Sequence, residues 1–105
     1  MAKKKNAVRV TPSTGNVFRD LGFSKEESEH LLVRADLLIQ NQKAIASKGL
    51  KQAEAAKTLR VTQPRVSDLL RGRIDLFSTD TLIDMLARLG IGVKLVVQSP
   101  KVKVA

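Results

Sequence analysis

Apolar residues recur at Leu31, Leu32, Ala35, Leu38, Ile39, Ile45 and Ala46, a three-to-four spacing that draws one stripe along a long helix. Ser24-Lys25-Glu26-Glu27 opens that helix as a capping box. The Ser24 hydroxyl oxygen can accept from the Glu27 amide while the Glu27 carboxylate accepts from the Ser24 amide. Phe23 before the cap suits a hydrophobic staple, and Gly49 supplies the C-terminal stop. Glu26, Glu27 and Glu29 lie in the first turns and Lys43 and Lys48 near the end, as the helix dipole favours. The span is long, and a break near Asn41 would divide it.

Three shorter helices follow by the same logic. Gln52–Leu59 has Ala53, Ala56 and Leu59 as its inner face. A second helix starts after Thr62, a good N-cap, and runs from Gln63 to Leu70 before Gly72. The third follows Ser78, runs from Thr79 to Leu89, buries Leu82, Met85, Leu86 and Leu89, and closes at Gly90. Ahead of the long helix, Val17, Phe18, Leu21 and Phe23 form a short apolar cluster that reads as one docking turn of helix. After Gly92 the period changes to two: Val93, Leu95 and Val97 alternate with Lys94, Val96 and Gln98, the pattern of a strand. A lone strand on a helical body needs an edge partner. Ala7–Val10 is one candidate, and the same strand of a second subunit is the other.

With 105 residues there is material for one domain. Residues 1–16 read as a flexible basic arm, ordered in part around Val8–Val10; residues 17–98 form the folded domain and 99–105 a basic tail. The absence of cysteine excludes a disulfide scaffold, thiolate metal sites and a cysteine nucleophile. His30 is the single imidazole and reads as a surface residue, so His-based triads and metal sites lack material. With no Gly-rich phosphate loop either, no catalytic residue, cofactor or metal is expected. No apolar run reaches the ~20 residues that span a bilayer, and the N-terminus lacks a signal-peptide core. A soluble cytoplasmic protein with no membrane partner is expected.

Charge narrows the choice of partner. The chain carries 19 Lys and Arg against 10 Asp and Glu, a formal charge of +9, which favours polyanions and nucleic acid first. The charge is unevenly placed: residues 20–42 are net −3, whereas 43–73 are net +6. Within the basic stretch, two short helices are separated by Arg60-Val61-Thr62, which is helix-turn-helix spacing. Ala56 permits close helix approach, Val61 plugs the turn, and Val66 and Leu69 face inward from the second helix.

These residues resemble the lambda-repressor-like (Xre-type) helix-turn-helix regulators and, more narrowly, the HigA-like antitoxins. The resemblance is carried by Gly49-Leu50-Lys51-Gln52-Ala53-Glu54-Ala55-Ala56 and by the run from Val61 to Gly72. Gly15–Gly22 and the closing Phe77-Ser78, Leu82, Leu86 and Leu89-Gly90 extend it over roughly residues 15–98. It implies a mainly α, five-helix domain with a C-terminal β-strand, in a bacterial, nucleoid-associated protein. It also implies a homodimer on a palindromic operator in double-stranded DNA, a repressor's activity, and, for an antitoxin, a small HigB-like toxin as partner.

In such proteins the second helix enters the major groove. The residues there not needed for the core are Gln63, Pro64, Arg65, Ser67, Asp68 and Arg71, the expected base readers. Gln63 suits adenine, Arg65 guanine and Asp68 a cytosine amine. Asp68 could instead pair with Arg65 or Arg71 and orient them. Lys51, Gln52, Arg60, Thr62 and Arg73 are expected at phosphates. Two positions depart from the family pattern. Arg60 stands where glycine usually makes a left-handed turn, and Lys51 stands where a serine or threonine cap is common. Lys3-Lys4-Lys5 is either a solubilising tail or an arm adding affinity without specificity. The rival readings are a sequence-independent, charge-driven nucleic-acid binder and a protein-interaction module whose helix-turn-helix is vestigial.

Overall fold

A computed structural model describes residues 7–10 and 17–97. The Lys3–Lys5 arm, Gly15, Asn16, Gln98 and the 99–105 tail lie outside them. In chain order the elements are strand β1 (Ala7–Val10) and helices α1 (Val17–Asp20), α2 (Lys25–Ser47), α3 (Gln52–Leu59) and α4 (Gln63–Leu70). A 3-10 turn (Ile74–Leu76), helix α5 (Thr79–Arg88) and strand β2 (Gly92–Leu95) complete them. Among the described residues four helices of eight or more residues make the body, and the expected count of five is reached only by including the single turn α1.

The capping box opens α2: the Glu27 amide donates to Ser24 Oγ at 3.1 Å and the Ser24 amide to Glu27 Oε1 at 3.2 Å. Phe23 makes no staple, because the helical position it would meet is Ser28. Its ring instead packs edge-on against Phe18 with centroids 6.1 Å apart. No break occurs at Asn41, and α2 runs unbroken for 23 residues. Asn41 is fully buried, and its amide nitrogen donates to the Leu37 carbonyl at 3.0 Å and to the Leu82 carbonyl at 3.1 Å. The polar side chain is therefore used to bind α2 to α5, and nothing in it interrupts the helix.

The buried stripe of α2 is also placed differently from the pattern. Leu37, Leu38, Ala44 and Ile45 are buried, while Ile39 is 42% exposed and Ala46 is exposed. The helix packs against both α5 and α4, so which of its apolar residues are covered is set by those two neighbours and not by a single stripe. On α3 the inner face is Ala55, Ala56 and Leu59, with Ala53 at the surface. Leu82, Met85, Leu86 and Leu89 of α5 and its cap are buried as their spacing predicts.

The strand finds its partner within the chain. β1 and β2 form a two-stranded parallel sheet in the register Ala7–Gly92 through Val10–Leu95. Part of the segment read as an arm is thus a strand. β2 stops at Leu95, and of its expected inner face only Val93 packs on the core; Leu95 and Val97 are 59% and 78% exposed.

Asp36, half-buried on α2, has its carboxyl pushed above the ordinary aspartate range by desolvation. Between the unfolded and the raised folded value the native state binds more protons, so stability falls as pH rises through that window. Asp36→Asn should therefore be more stable than the parent at pH 7, with the advantage shrinking as acid protonates the aspartate. Urea denaturation at pH 7 and pH 4 measures this, and a pH-independent difference would contradict it.

Candidate nucleic-acid interface

The first helix of the motif starts without a side-chain cap from Lys51, since an ammonium cannot accept a hydrogen bond. Glu54 supplies the other half of the box: the Lys51 amide donates to its Oε1 at 2.8 Å. The lysine ammonium and Gln52 therefore stay exposed at the helix start. α3 ends at Arg60, whose φ of 60° and ψ of 44° place it in the left-handed region. Among the described residues it is the one non-glycine with positive φ. Its backbone N–H donates to Lys57, and the Val61 amide donates to Ala56, closing the turn.

Holding an L-residue in that conformation costs about 1–2 kcal/mol. Arg60→Gly relieves the strain while making the unfolded chain freer, for a net gain of up to about 1 kcal/mol. If the exposed guanidinium meets a phosphate, the same substitution weakens DNA binding and lowers the salt slope by about one. Thermal melting and a salt titration of binding read the two opposite effects. Unchanged binding would remove Arg60 from the interface.

α4 is opened by Thr62, whose Oγ1 accepts from the Arg65 amide at 3.3 Å. The cap uses a lone pair and leaves the hydroxyl proton to donate. Pro64 falls in the first turn, where its missing N–H costs nothing. Of the eleven residues expected at DNA, Lys51, Gln52, Arg60, Thr62, Gln63, Pro64, Arg71 and Arg73 are exposed, and Arg65, Ser67 and Asp68 are half-buried. Among the described residues Gln63 makes no side-chain hydrogen bond, so its amide is free at the N-terminal end of α4. Asp68 likewise forms no ion pair with Arg65 or Arg71. Arg71 Nη2 donates to Ser67 Oγ at 3.2 Å, joining two of the expected readers one turn apart.

Arg65 is placed differently from a free reader. Its Nη1 donates to the Leu76 carbonyl at 3.0 Å, and its Cζ lies 4.3 Å from the centroid of the Phe77 ring. The interior of the motif matches its residue types: Val66 and Leu69 are fully buried, Ala56 nearly so, and Val61 packs against the core.

Two further residues orient the motif, and neither is visible in its pattern. The last carbonyls of a helix lack intrahelical donors. Arg88 Nη1 on α5 donates to the Leu59 carbonyl at the end of α3, at 3.1 Å. Gln42 Nε2 on α2 donates to the Leu69 and Leu70 carbonyls at the end of α4, at 2.9 and 3.4 Å. Asking which donors serve those carbonyls raises the question, but only the packing of α2 and α5 answers it.

The profile of a family described as a helix-turn-helix domain matches residues 17–98. Among solved structures, the chain is similar to one whose given name assigns it provisionally to the XRE family of transcriptional regulators. The two share 29% identity and superpose with a TM-score of 0.67, over 75% of this chain and 90% of that one. No curated protein is significantly similar to the chain.

Proposed function

The chain belongs to the helix-turn-helix domain family, and we propose that it is an XRE-type transcriptional regulator that reads double-stranded DNA, acting as a repressor. The observation that carries the reading is the free amide of Gln63 at the exposed N-terminus of α4. It is flanked by Thr62 and Pro64 and set in a segment of net charge +6. Gln63, Pro64, Ser67, Asp68 and Arg71 face bases in this reading, and Lys51, Gln52, Arg60, Thr62 and Arg73 hold phosphates.

So few base contacts specify little, which supports a homodimer on a palindromic operator with half-sites about 34 Å apart. The exposed Leu95, which ends β2, and Val97 just beyond it favour that end of the molecule as the seam. An antitoxin role is favoured by one surface: exposed Asp20, Glu26, Glu27 and Glu29 beside exposed Leu21 and Phe23 would suit a basic protein partner.

Fluorescence anisotropy against the DNA upstream of the gene and a scrambled duplex, from about 50 to 200 mM salt, tests the reading. A preference of ~10³ or more for one sequence is expected of a specific regulator. Equal affinity for both duplexes, and for every other sequence offered, collapsing with salt, would leave a charge-driven binder.

A further inference from the structure

We propose that Arg65 is a positioning residue of the DNA interface: it sets the attitude of α4 by fastening its first turn to the junction between the 3-10 turn and α5. The proposal rests on the DNA-reading function above. The guanidinium of Arg65 is committed on two sides. One edge donates to the Leu76 carbonyl at 3.0 Å, and one face lies 4.3 Å from the centre of the Phe77 ring. Phe77 is 1% exposed, so the guanidinium is part of what seals the ring from water. Swinging Arg65 out to a guanine would strip the Leu76 carbonyl of its donor and uncover the ring.

The fastening falls where it has most leverage. The Thr62 hydroxyl caps α4 on the Arg65 amide, so backbone and side chain of one residue hold the end of the helix that presents Gln63. Gln42 holds the other end through the Leu69 carbonyl. With both ends tied to different elements, the helix has a fixed tilt and rotation relative to the core.

Four roles for Arg65 predict four different results for Arg65→Ala. The probes are duplexes that the parent protein selects from a random 20-base-pair pool, each base pair then substituted in turn. Binding is measured at 10 °C, with circular dichroism confirming that parent and variant are folded there. A positioning role predicts binding roughly tenfold weaker on every duplex, the scale of one charge-assisted hydrogen bond. The ranking of the duplexes and the salt slope stay unchanged. A base-reading role predicts lost discrimination at one base pair per half-site, and a phosphate contact predicts a salt slope lowered by about one. Either result overturns the proposal. So does a lower melting temperature with unaltered binding at 10 °C, which would make the residue merely structural. A parent that selects no sequence from the pool ends the DNA-reading function and this proposal together. A parent that selects one, with a variant relaxed at a single pair, ends this proposal alone.

Discussion

Phe77→Ala should lower the free energy of unfolding by about 3–5 kcal/mol, since its ring is the largest fully buried side chain among the described residues. The ring is 1% exposed and joins the 3-10 turn to α5, immediately before the Ser78 cap. Alanine there leaves a cavity that the surrounding helices, tied by Asn41, Gln42 and Arg88, can collapse only in part. It also takes away the surface on which Arg65 stacks. Since a domain of this size has about 5–15 kcal/mol of stability in all, the variant should sit near the edge of unfolding at 37 °C. Phe77→Leu, which keeps most of the volume, should lose far less. Urea denaturation of the pair checks this, and a cost below about 1 kcal/mol for alanine would show the ring to be peripheral.

Gln63→Ala should weaken binding to the preferred DNA by roughly 10–100-fold, the worth of one bidentate base contact. The residue is uncharged, exposed and free of internal hydrogen bonds among the described residues, so its removal leaves fold and charge alone. The loss should therefore fall on one base pair in each half-site, with the salt slope and the affinity for scrambled DNA unaltered. Anisotropy on substituted duplexes separates the outcomes. A uniform loss across all duplexes would mean that Gln63 does not read a base.

The two helices of the motif were legible to the residue, at Gln52–Leu59 and Gln63–Leu70, because their ends are set by local chemistry. Thr62 is a cap and Gly72 is a stop, and neither depends on distant parts of the chain. The strained turn at Arg60 was legible for another reason: the resemblance, which places glycine there, implies the left-handed backbone that any other residue must adopt.

What depended on partners far along the chain was not legible. The periodicity on α2 could not distinguish Leu37 from Ile39, because which one is covered depends on where α5 and α4 cross it. Asn41 looked like a break, since the Leu82 carbonyl that accepts from its amide is 41 residues away. The same limit applied to the interface. Gln63 was identifiable as a free end-of-helix amide. The ties on Arg65 were not, because they run to Leu76 and Phe77 across an irregular turn whose course no periodicity describes.

The parallel pairing of β1 with β2 joins Ala7 to Gly92, bringing together residues from opposite ends of the domain. Closing so long a loop carries an entropic cost that the helices, built from near neighbours, do not meet. During folding, the helical body is thus expected to assemble first and the two strands to zip onto it last. At equilibrium the order reverses: the strands should exchange their amide hydrogens through openings that leave Val66 and Leu69 protected. The recognition helix and the sheet would then be separate cooperative units, so events at the ends of the chain need not disturb the element that meets DNA.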